Sequence, residues 1–289
     1  MWEIFAEQFP RFFTAQNAWF LMLATWMTLS MTLIGCSIGF VCGFTLVFLR
    51  RFPNWILGWI DIAFFGVYVG LRRVMPAPMW QAIGWIVELI CVRMVNFVLR
   101  ILAGVIRTVM VLYVEYFRRT PFLVLMFLVL FGMTKGLGID ASLFTIACVS
   151  ISIISTAYIA EIIRAGLDSV HHNQWDAADA MNFGTVQTLA YVIIPQAWKV
   201  ILPPVFAYFV MFIKDTALAS QLGVVEITLA TKLFNNQGYL AVFSFGVGLT
   251  MYFILSYPLT QLGWWMERKL LTRRRDGTMP TPIITAQIT

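Results

Sequence analysis

The segment RAGLDSVHHNQWDAADAMNFGTVQTLAYVIIPQAWKVILPP, residues 164–204, decides how this chain is organised. It is polar and rich in turn residues, and it lies between segments that are apolar enough to cross a bilayer. We expect a membrane protein that keeps such a folded polar segment to present it to a partner.

The composition around this segment is that of a polytopic membrane protein. The 289 residues are 60% hydrophobic and 12% charged, with a mean hydropathy of +0.82, whereas soluble domains carry about 25% charged residues. At about 20 residues per span, this length predicts five to seven helices in one all-α bundle.

The net charge of +6 does not indicate a nucleic-acid partner. The basic residues end apolar runs, as they do in loops retained in the cytoplasm. They are Arg50, Arg51, Arg268, Lys269 and Arg273 to Arg275.

Five spans satisfy this charge distribution, with the N-terminus outside and the C-terminus in the cytoplasm. Residues 1–17 are expected to lie on the membrane surface, 18–266 to form the membrane domain and 267–289 to form a cytoplasmic tail. The predicted spans are Ala18–Leu49, Val105–Met133, Ala141–Ile163, Val200–Leu222 and Gly238–Met266.

Residues 54–99 fit this scheme less easily. They contain two Trp-rich apolar stretches separated by Arg72 and Arg73, which would face outside if both stretches crossed the membrane. The sequence favours an inserted helical hairpin at the cytoplasmic interface or on the bundle's flank, and two true spans are the alternative.

Two small-residue patterns predict helix contacts. Gly35, Gly39 and Gly43 recur every four residues, so a neighbouring backbone can approach that face closely. A weakly polar stripe in the third span indicates either packing or a water-lined path. Its members are Ser142, Thr145, Ser152 and Thr156.

The polar segment itself predicts a helix, a sharp turn and a second helix. The first helix is expected over Gln174–Met181, with Trp175, Ala178 and Met181 or Asn182 on one side. Asn182 and Gly184 tolerate left-handed geometry and can stop it, Thr185 can cap the next helix, and Pro195 breaks that helix after Ile194.

Motifs for enzymatic chemistry are absent from the sequence. There is no G-x-x-x-x-G-K-[ST] phosphate loop, no HExxH and no GxSxG elbow. The four cysteines, Cys36, Cys42, Cys91 and Cys148, lie in apolar sequence without CxxC spacing. We therefore expect no catalytic residues, no metal site and no cofactor in this chain.

The polar segment resembles the EAA loop of ABC importer permeases, whose pattern is EAA, three residues, Gly, nine residues, I-x-L-P. Here the pattern is Asp176-Ala177-Ala178, three residues, Asn182, nine residues and Val192 to Pro195. Other short sequence motifs resemble those of the permeases for polar amino acids, of the histidine, glutamate, glutamine or arginine type. They are Tyr113 to Pro121, Ala157 to Arg164, Ile194 to Ala197 and Lys214 to Leu218.

This resemblance implies a type I importer fold with five core transmembrane helices, in the bacterial inner membrane. Two partner ATPase subunits would bind ATP and Mg²⁺, and a second, homologous permease and a periplasmic or extracellular amino acid-binding protein would complete the assembly. It also implies a coupling helix whose small apolar face at Ala177 and Ala178 contacts the ATPase. The coupling candidates are Trp175, Asp176, Ala177, Ala178, Met181, Asn182, Gly184 and Pro195.

The chain departs from the family pattern at several positions. Asp176 replaces Glu and Asn182 replaces Gly, yet the charge and the left-handed turn can both be kept. Leu125 and Ala207 replace a common Gln and a common Asn, which puts direct substrate contact by this subunit in doubt. The resemblance favours an acidic amino acid or its amide as substrate, and a basic amino acid stays open.

Polar and ionisable residues in or beside the predicted spans are candidates for the translocation path, with structural ion pairing as the alternative. They are Arg118, Thr120, Tyr158, Glu161, Lys214 and Asp215. Glu161 and Arg164 are one turn apart and can pair with each other. An ion channel or proton-coupled secondary transporter is the alternative function, and an intramembrane enzyme is a third.

Overall fold

The computed structural model describes residues 10–51, 70 and 94–271, and these residues contain helices, turns and no strand. This confirms the all-α prediction. Residues 1–9, 52–69, 71–93 and 272–289 lie outside the described residues. Most of the inserted hairpin predicted at 54–99 falls there, as does the tail beyond Leu271.

The α-helices whose bounds lie within the described residues are numbered in chain order. They are α1 (Ala15–Arg51), α2 (Met94–Arg119), α3 (Phe122–Phe131), α4 (Leu143–Asp168), α5 (His172–Ala180), α6 (Thr185–Gln187), α7 (Ile194–Asp215), α8 (Ile227–Asn236) and α9 (Ala241–Leu271). A π-helical segment, Gly132–Gly136, extends α3. A second π-helical segment, Thr188–Ile193, joins α6 to α7, and a 3₁₀ segment, Thr216–Leu222, extends α7.

Within the described ranges, four helical segments are long and apolar enough to cross a membrane. They are 15–50, 143–168, 185–222 and 241–270, and a bent pair formed by α2 and α3 makes a fifth if it is counted as one span. The predicted number of five spans is reached only when this bent pair is counted as one span.

The second span differs from the prediction. The single outward helix predicted over Val105–Met133 is wrong, because the chain bends by 113° between Arg119 and Phe122. Pro121 has an extended backbone (φ −60°, ψ 131°), it lacks an N–H, and it disfavours helical geometry at Thr120. Helix α2 runs parallel to α4. Tyr113 of α2 contacts Ile153 of α4, and five residues further along both helices Arg118 contacts Tyr158.

Helix α1 packs along α4 through its three spaced glycines. A Cβ on Gly35 would lie 2.5 Å from Ile151 Cγ2, and one on Gly39 would collide with the Ser155 side chain. A Cβ on Gly43 would lie 3.0 Å from the backbone of Ala160. The two backbones therefore approach more closely than larger residues allow.

Helix α7 is continuous with the helical path that precedes it, so the break predicted at Pro195 is wrong. Pro195 occupies the first turn of α7, where its missing N–H costs little. The π-helical segment Thr188–Ile193 before it is a wider turn of the kind that interrupts α-helices without ending the helical path. One helical path thus runs from Thr185 to Leu222.

The two ends of the bundle carry different groups of side chains. Arg50, Arg118 and Arg164 lie at one end, with the 169–193 loop beside them, and we call it the basic end. At the other end, Phe12 is buried before α1 and packs on Phe234 and Phe243, with ring centroids 4.8 and 4.6 Å apart.

Candidate functional site

Helix α5 begins and ends as its sequence predicts, within two residues. His171 is its N-cap, and its Nδ1 accepts a hydrogen bond from the Asn173 N–H at 3.2 Å. Asn182 follows the helix with φ of 57°, and it is the one non-glycine residue with positive φ in the described chain. Asparagine adopts this left-handed geometry at low cost, so the turn predicted at Asn182 is confirmed.

The next helix begins one residue earlier than predicted. Gly184, with φ of −67°, is the N-cap of α6, and Thr185 is its first residue rather than its cap. The Gly184 N–H donates to Gln187 Oε1 at 2.9 Å. The side chain of Gln187 therefore satisfies a backbone donor that a serine or threonine cap would not reach.

Helix α5 has an inner face and an outer face. Ala178 is fully buried within the chain, and Trp175 is half-buried on the same side. Asp176, Ala177 and Met181 are exposed, and so is Asn182, so the prediction that Met181 or Asn182 shares the side of Trp175 and Ala178 is wrong. The expectation that Ala177 and Ala178 together form the contact surface needs correction, because the 100° between successive residues points Ala178 inward.

The inner face of α5 rests on an apolar cluster that reaches the spans, and we call it the coupling cluster. Its buried members are Val47, Val114, Ile159, Ala160, Ile163, Leu167, Leu189, Ile193, Ala197 and Ile201. Trp175 packs against this cluster, and Gln174 Oε1 accepts from Gln196 Nε2 at 3.0 Å. The cluster thus connects α5 to α1, α2, α4 and α7 through direct contact.

A charged network lies beside the coupling cluster. Arg164 holds Glu161 through two hydrogen bonds of 2.9 and 2.7 Å, as the sequence predicts, and it also contacts Asp168 at 2.8 Å. Arg118 Nη1 lies 3.5 Å from Glu161 Oε1 and so joins α2 to α4. The Tyr158 hydroxyl donates to the Arg118 carbonyl at 3.2 Å.

The remaining translocation-path candidates are not part of this network. The Thr120 hydroxyl donates to the Tyr116 carbonyl of its own helix at 2.8 Å. Lys214 and Asp215 lie where α7 gives way to the 3₁₀ segment, and in the described ranges neither forms an ion pair. The structure therefore brings together Arg118, Tyr158 and Glu161 but not the other three.

The chain matches the family model described as binding-protein-dependent transport system inner membrane component over residues 82–270. This match includes α5, the coupling cluster on α4 and α7, and the charged network. The chain belongs to this family of permeases.

Two relatives of the permease are similar in sequence. The "Probable amino-acid ABC transporter permease protein PatM" of Vibrio harveyi is 34% identical over 163 residues, which are 55% of this chain and 72% of the relative. The "Probable glutamine ABC transporter permease protein GlnP" of Bacillus subtilis is 31% identical over 150 residues, or 51% and 68% of the two chains.

The fold of the permease is also found in a solved structure. That structure is described as an amino acid ABC transporter with histidines. The two chains superpose with a TM-score of 0.66 at 23% identity, over 88% of this chain and 95% of the other. The likeness confirms the permease fold that the sequence resemblance implied.

Glu226 is a buried polar residue that sequence reasoning missed. It is fully buried before α8, and its carboxylate accepts hydrogen bonds from the Thr228 and Leu229 N–H groups and from the Tyr252 hydroxyl, at 2.8, 2.8 and 2.6 Å. Burial raises the pKa of Glu226, and the donated hydrogen bonds act against that rise. An acid just before an apolar, helix-forming run was the available signal.

Gly166 is a second residue that the sequence did not single out. A Cβ at this position would collide with the side chain of Ile201, so α4 and α7 cross in close contact beside the coupling cluster. A lone glycine near the end of a span carries little signal, because glycine there is equally consistent with a helix end.

Among residues 10–51, 70 and 94–271, no group of three or more His, Cys, Asp or Glu side chains could hold a metal ion. The described residues of the site are suited to mechanical contact: a helix with one anchored face, one exposed face and a buried connection to the spans.

Proposed function

We propose that this permease is the membrane-spanning subunit of an ATP-driven importer for a polar amino acid, and that α5 is its coupling helix. The observation that carries the proposal is the two-faced α5: Trp175 packs on the coupling cluster and Ala178 is buried, whereas Asp176, Ala177 and Met181 are exposed.

A displacement of α5 has a direct path to the spans. The coupling cluster joins it to α4 and α7, and the helical path from Thr185 to Leu222 has no break at Pro195. A push on the outer face of α5 would therefore move α7 as one body and shift the bundle between outward-open and inward-open states. Asn182 and Gly184 would fix the angle between α5 and this lever.

The basic end would face the cytoplasm, because arginines and lysines collect on that side. This places α5 where cytoplasmic ATPases can reach it, with the N-terminus outside and the C-terminus inside. Two ATPase subunits would bind ATP and Mg²⁺, and a second, homologous permease chain and an extracellular or periplasmic binding protein would complete the importer.

The relatives' names support an amino acid substrate. Relatives are named for glutamine or, in Rhizobium radiobacter, for octopine. Among polar amino acids, we propose glutamine, glutamate and aspartate as the first substrates to test. Lys214 and Asp215 are the candidates for contact with the path, whereas Arg118, Tyr158 and Glu161 would join α2 to α4 at its cytoplasmic mouth.

The experiment combines association with transport. The full chain would be purified with its copurifying ATPase and partner permease and reconstituted in vesicles that are supplied with the binding protein. Uptake of radiolabelled glutamine, glutamate, aspartate, histidine and arginine would be measured with and without ATP. We expect ATP-dependent uptake of at least one of them, and none without ATP.

The exposed face of α5 is tested by Ala177→Arg. The control is Gln237→Arg, at the end of the bundle opposite the basic end. We expect Ala177→Arg to reduce ATPase copurification by about tenfold or more, as replacement of a central interface residue does. The control should bind normally. Equal association of both variants would exclude α5 as the ATPase contact.

A further inference from the structure

A lateral groove runs between α1, α2 and α4, with a volume of about 700 Å³. Its wall includes Ile38 and Cys42 of α1, Val105 and Val109 of α2, and Val149 and Ile153 of α4. Ile38 is 47% exposed and Val109 is 58% exposed, so the groove opens sideways on helices that would be surrounded by hydrocarbon.

The polar groups on the groove wall already have partners. The Tyr113 hydroxyl donates to the Ile153 carbonyl at 2.7 Å, the Ser152 hydroxyl to the Cys148 carbonyl at 2.7 Å, and the Thr156 hydroxyl to the Ser152 carbonyl at 2.6 Å. A polar amino acid would find few hydrogen-bonding groups there. The volume is in the range of a small-ligand site, and the wall suits a hydrocarbon chain.

The groove continues toward a charged crevice. Leu46 and Met110 line both the groove and a narrow crevice of about 10 Å³, whose wall includes Arg50 and Glu161, so the groove ends beside these two charges. The local charges are Arg50, Arg118 and Arg164 against Glu161 and Asp168, three positive minus two negative, which leaves +1. Glu161 is already held by Arg164, which leaves Arg50, on the wall of the crevice that adjoins the groove, as a cation that an outside anion can reach.

We propose that the groove binds an anionic phospholipid, with one acyl chain between α1, α2 and α4 and the phosphate at Arg50. An apolar channel that ends at an arginine matches a lipid with a negatively charged headgroup. The bound chain would fill the space beside α2 and hold that helix against α4, where Arg118 contacts Glu161.

The test uses lipids that carry a photoreactive group in the acyl chain. The full chain in nanodiscs would be irradiated with photoreactive phosphatidylglycerol or phosphatidylcholine, and adducts would be mapped by mass spectrometry. We expect the phosphatidylglycerol to label the groove about fivefold more than phosphatidylcholine does, the size of effect that one arginine near an anionic headgroup provides. Both lipids should label the exposed face of α9 around Val242 and Leu249 equally.

Two variants separate the headgroup contact from general charge. Arg50→Gln should remove the preference for phosphatidylglycerol, and Lys269→Gln, near the end of α9, should keep it. Val109→Trp, which fills the groove, should abolish groove labelling by both lipids, and Val242→Trp on α9 should not.

Equal groove labelling by the two lipids would overturn the proposal, because it would show ordinary lipid contact only. Absence of groove labelling by either lipid would also overturn it and would point to residues 52–93, which connect α1 to α2, as the occupant. A preference that survives Arg50→Gln would exclude the phosphate site.

Discussion

The close contact between α1 and α4 in this permease depends on single glycines in α1. Gly39 lies against Ser155 and Thr156 of α4, and the space there is too small for a Cβ. Gly104 on α2 lies in open space, where a Cβ would meet nothing within 4 Å. The same substitution should therefore have opposite effects at the two positions.

We predict that Gly39→Ala destabilises the protein by about 1–3 kcal/mol, because it overpacks the α1–α4 contact. Gly104→Ala should be neutral or stabilising by up to about 1 kcal/mol, since alanine is the better helix former. Thermal unfolding of the two variants in detergent would measure the difference. A higher melting temperature for Gly39→Ala than for the parent would contradict the close packing.

At the residue scale, the glycine spacing and the turn at Asn182 could be predicted from the sequence, whereas the roles of Ala178 and Gly166 could not. The four-residue glycine spacing fixes a common helix face, and asparagine at position 182 adopts the left-handed turn with φ of 57°. The roles of Ala178 and Gly166 depend on which side of a helix meets the bundle. That side is set by tertiary packing with Ile201 and the coupling cluster, which local pattern does not contain.

At the scale of elements, α5 and the helical path after it form the candidate coupling unit. Trp175 is the large side chain that packs this helix on the coupling cluster, while Tyr191, in the π-helical segment, is 74% exposed. These two aromatic residues of the same loop allow a matched comparison.

We predict that Trp175→Ala keeps ATPase association but lowers transport per ATP hydrolysed, because α5 loses its contact with the spans. The reduction should be between about 5-fold and 150-fold, the usual range of coupling energies. Tyr191→Ala should leave the ratio close to that of the parent. The ratio is obtained by measuring uptake and ATP hydrolysis in the same vesicles. Loss of both activities in equal proportion would indicate that Trp175 serves folding or docking instead of coupling.

Proline was an unreliable guide to element boundaries in this chain. Pro121 produces a bend of 113° between α2 and α3, whereas Pro195 lies inside a continuous helical path. The difference lies in the neighbouring turn, because a π-helical segment before Pro195 accommodates the proline. Such a local widening is decided by packing on both sides and leaves no clear sequence signal.

At the scale of the whole molecule, the composition and the basic residues predicted the membrane class and the number of spans. They did not predict that α2 runs in the same sense as α4, since hydropathy identifies apolar segments without giving their direction across a bend. The charged network at the basic end depends on this parallel direction, because the C-terminal ends of α2 and α4 then lie side by side and Arg118 contacts Glu161.

The central claim is that the outer face of α5 contacts an ATPase. The most direct test places a photo-crosslinking amino acid at Ala177 or Met181 on that face. Gly136, near the end of the bundle opposite the basic end, is the control position. Irradiation of membranes that contain the assembled transporter should join the first two positions to an ATP-binding protein, and Gly136 should give no such product. Crosslinks from Gly136 alone, or from none of the three, would contradict the account.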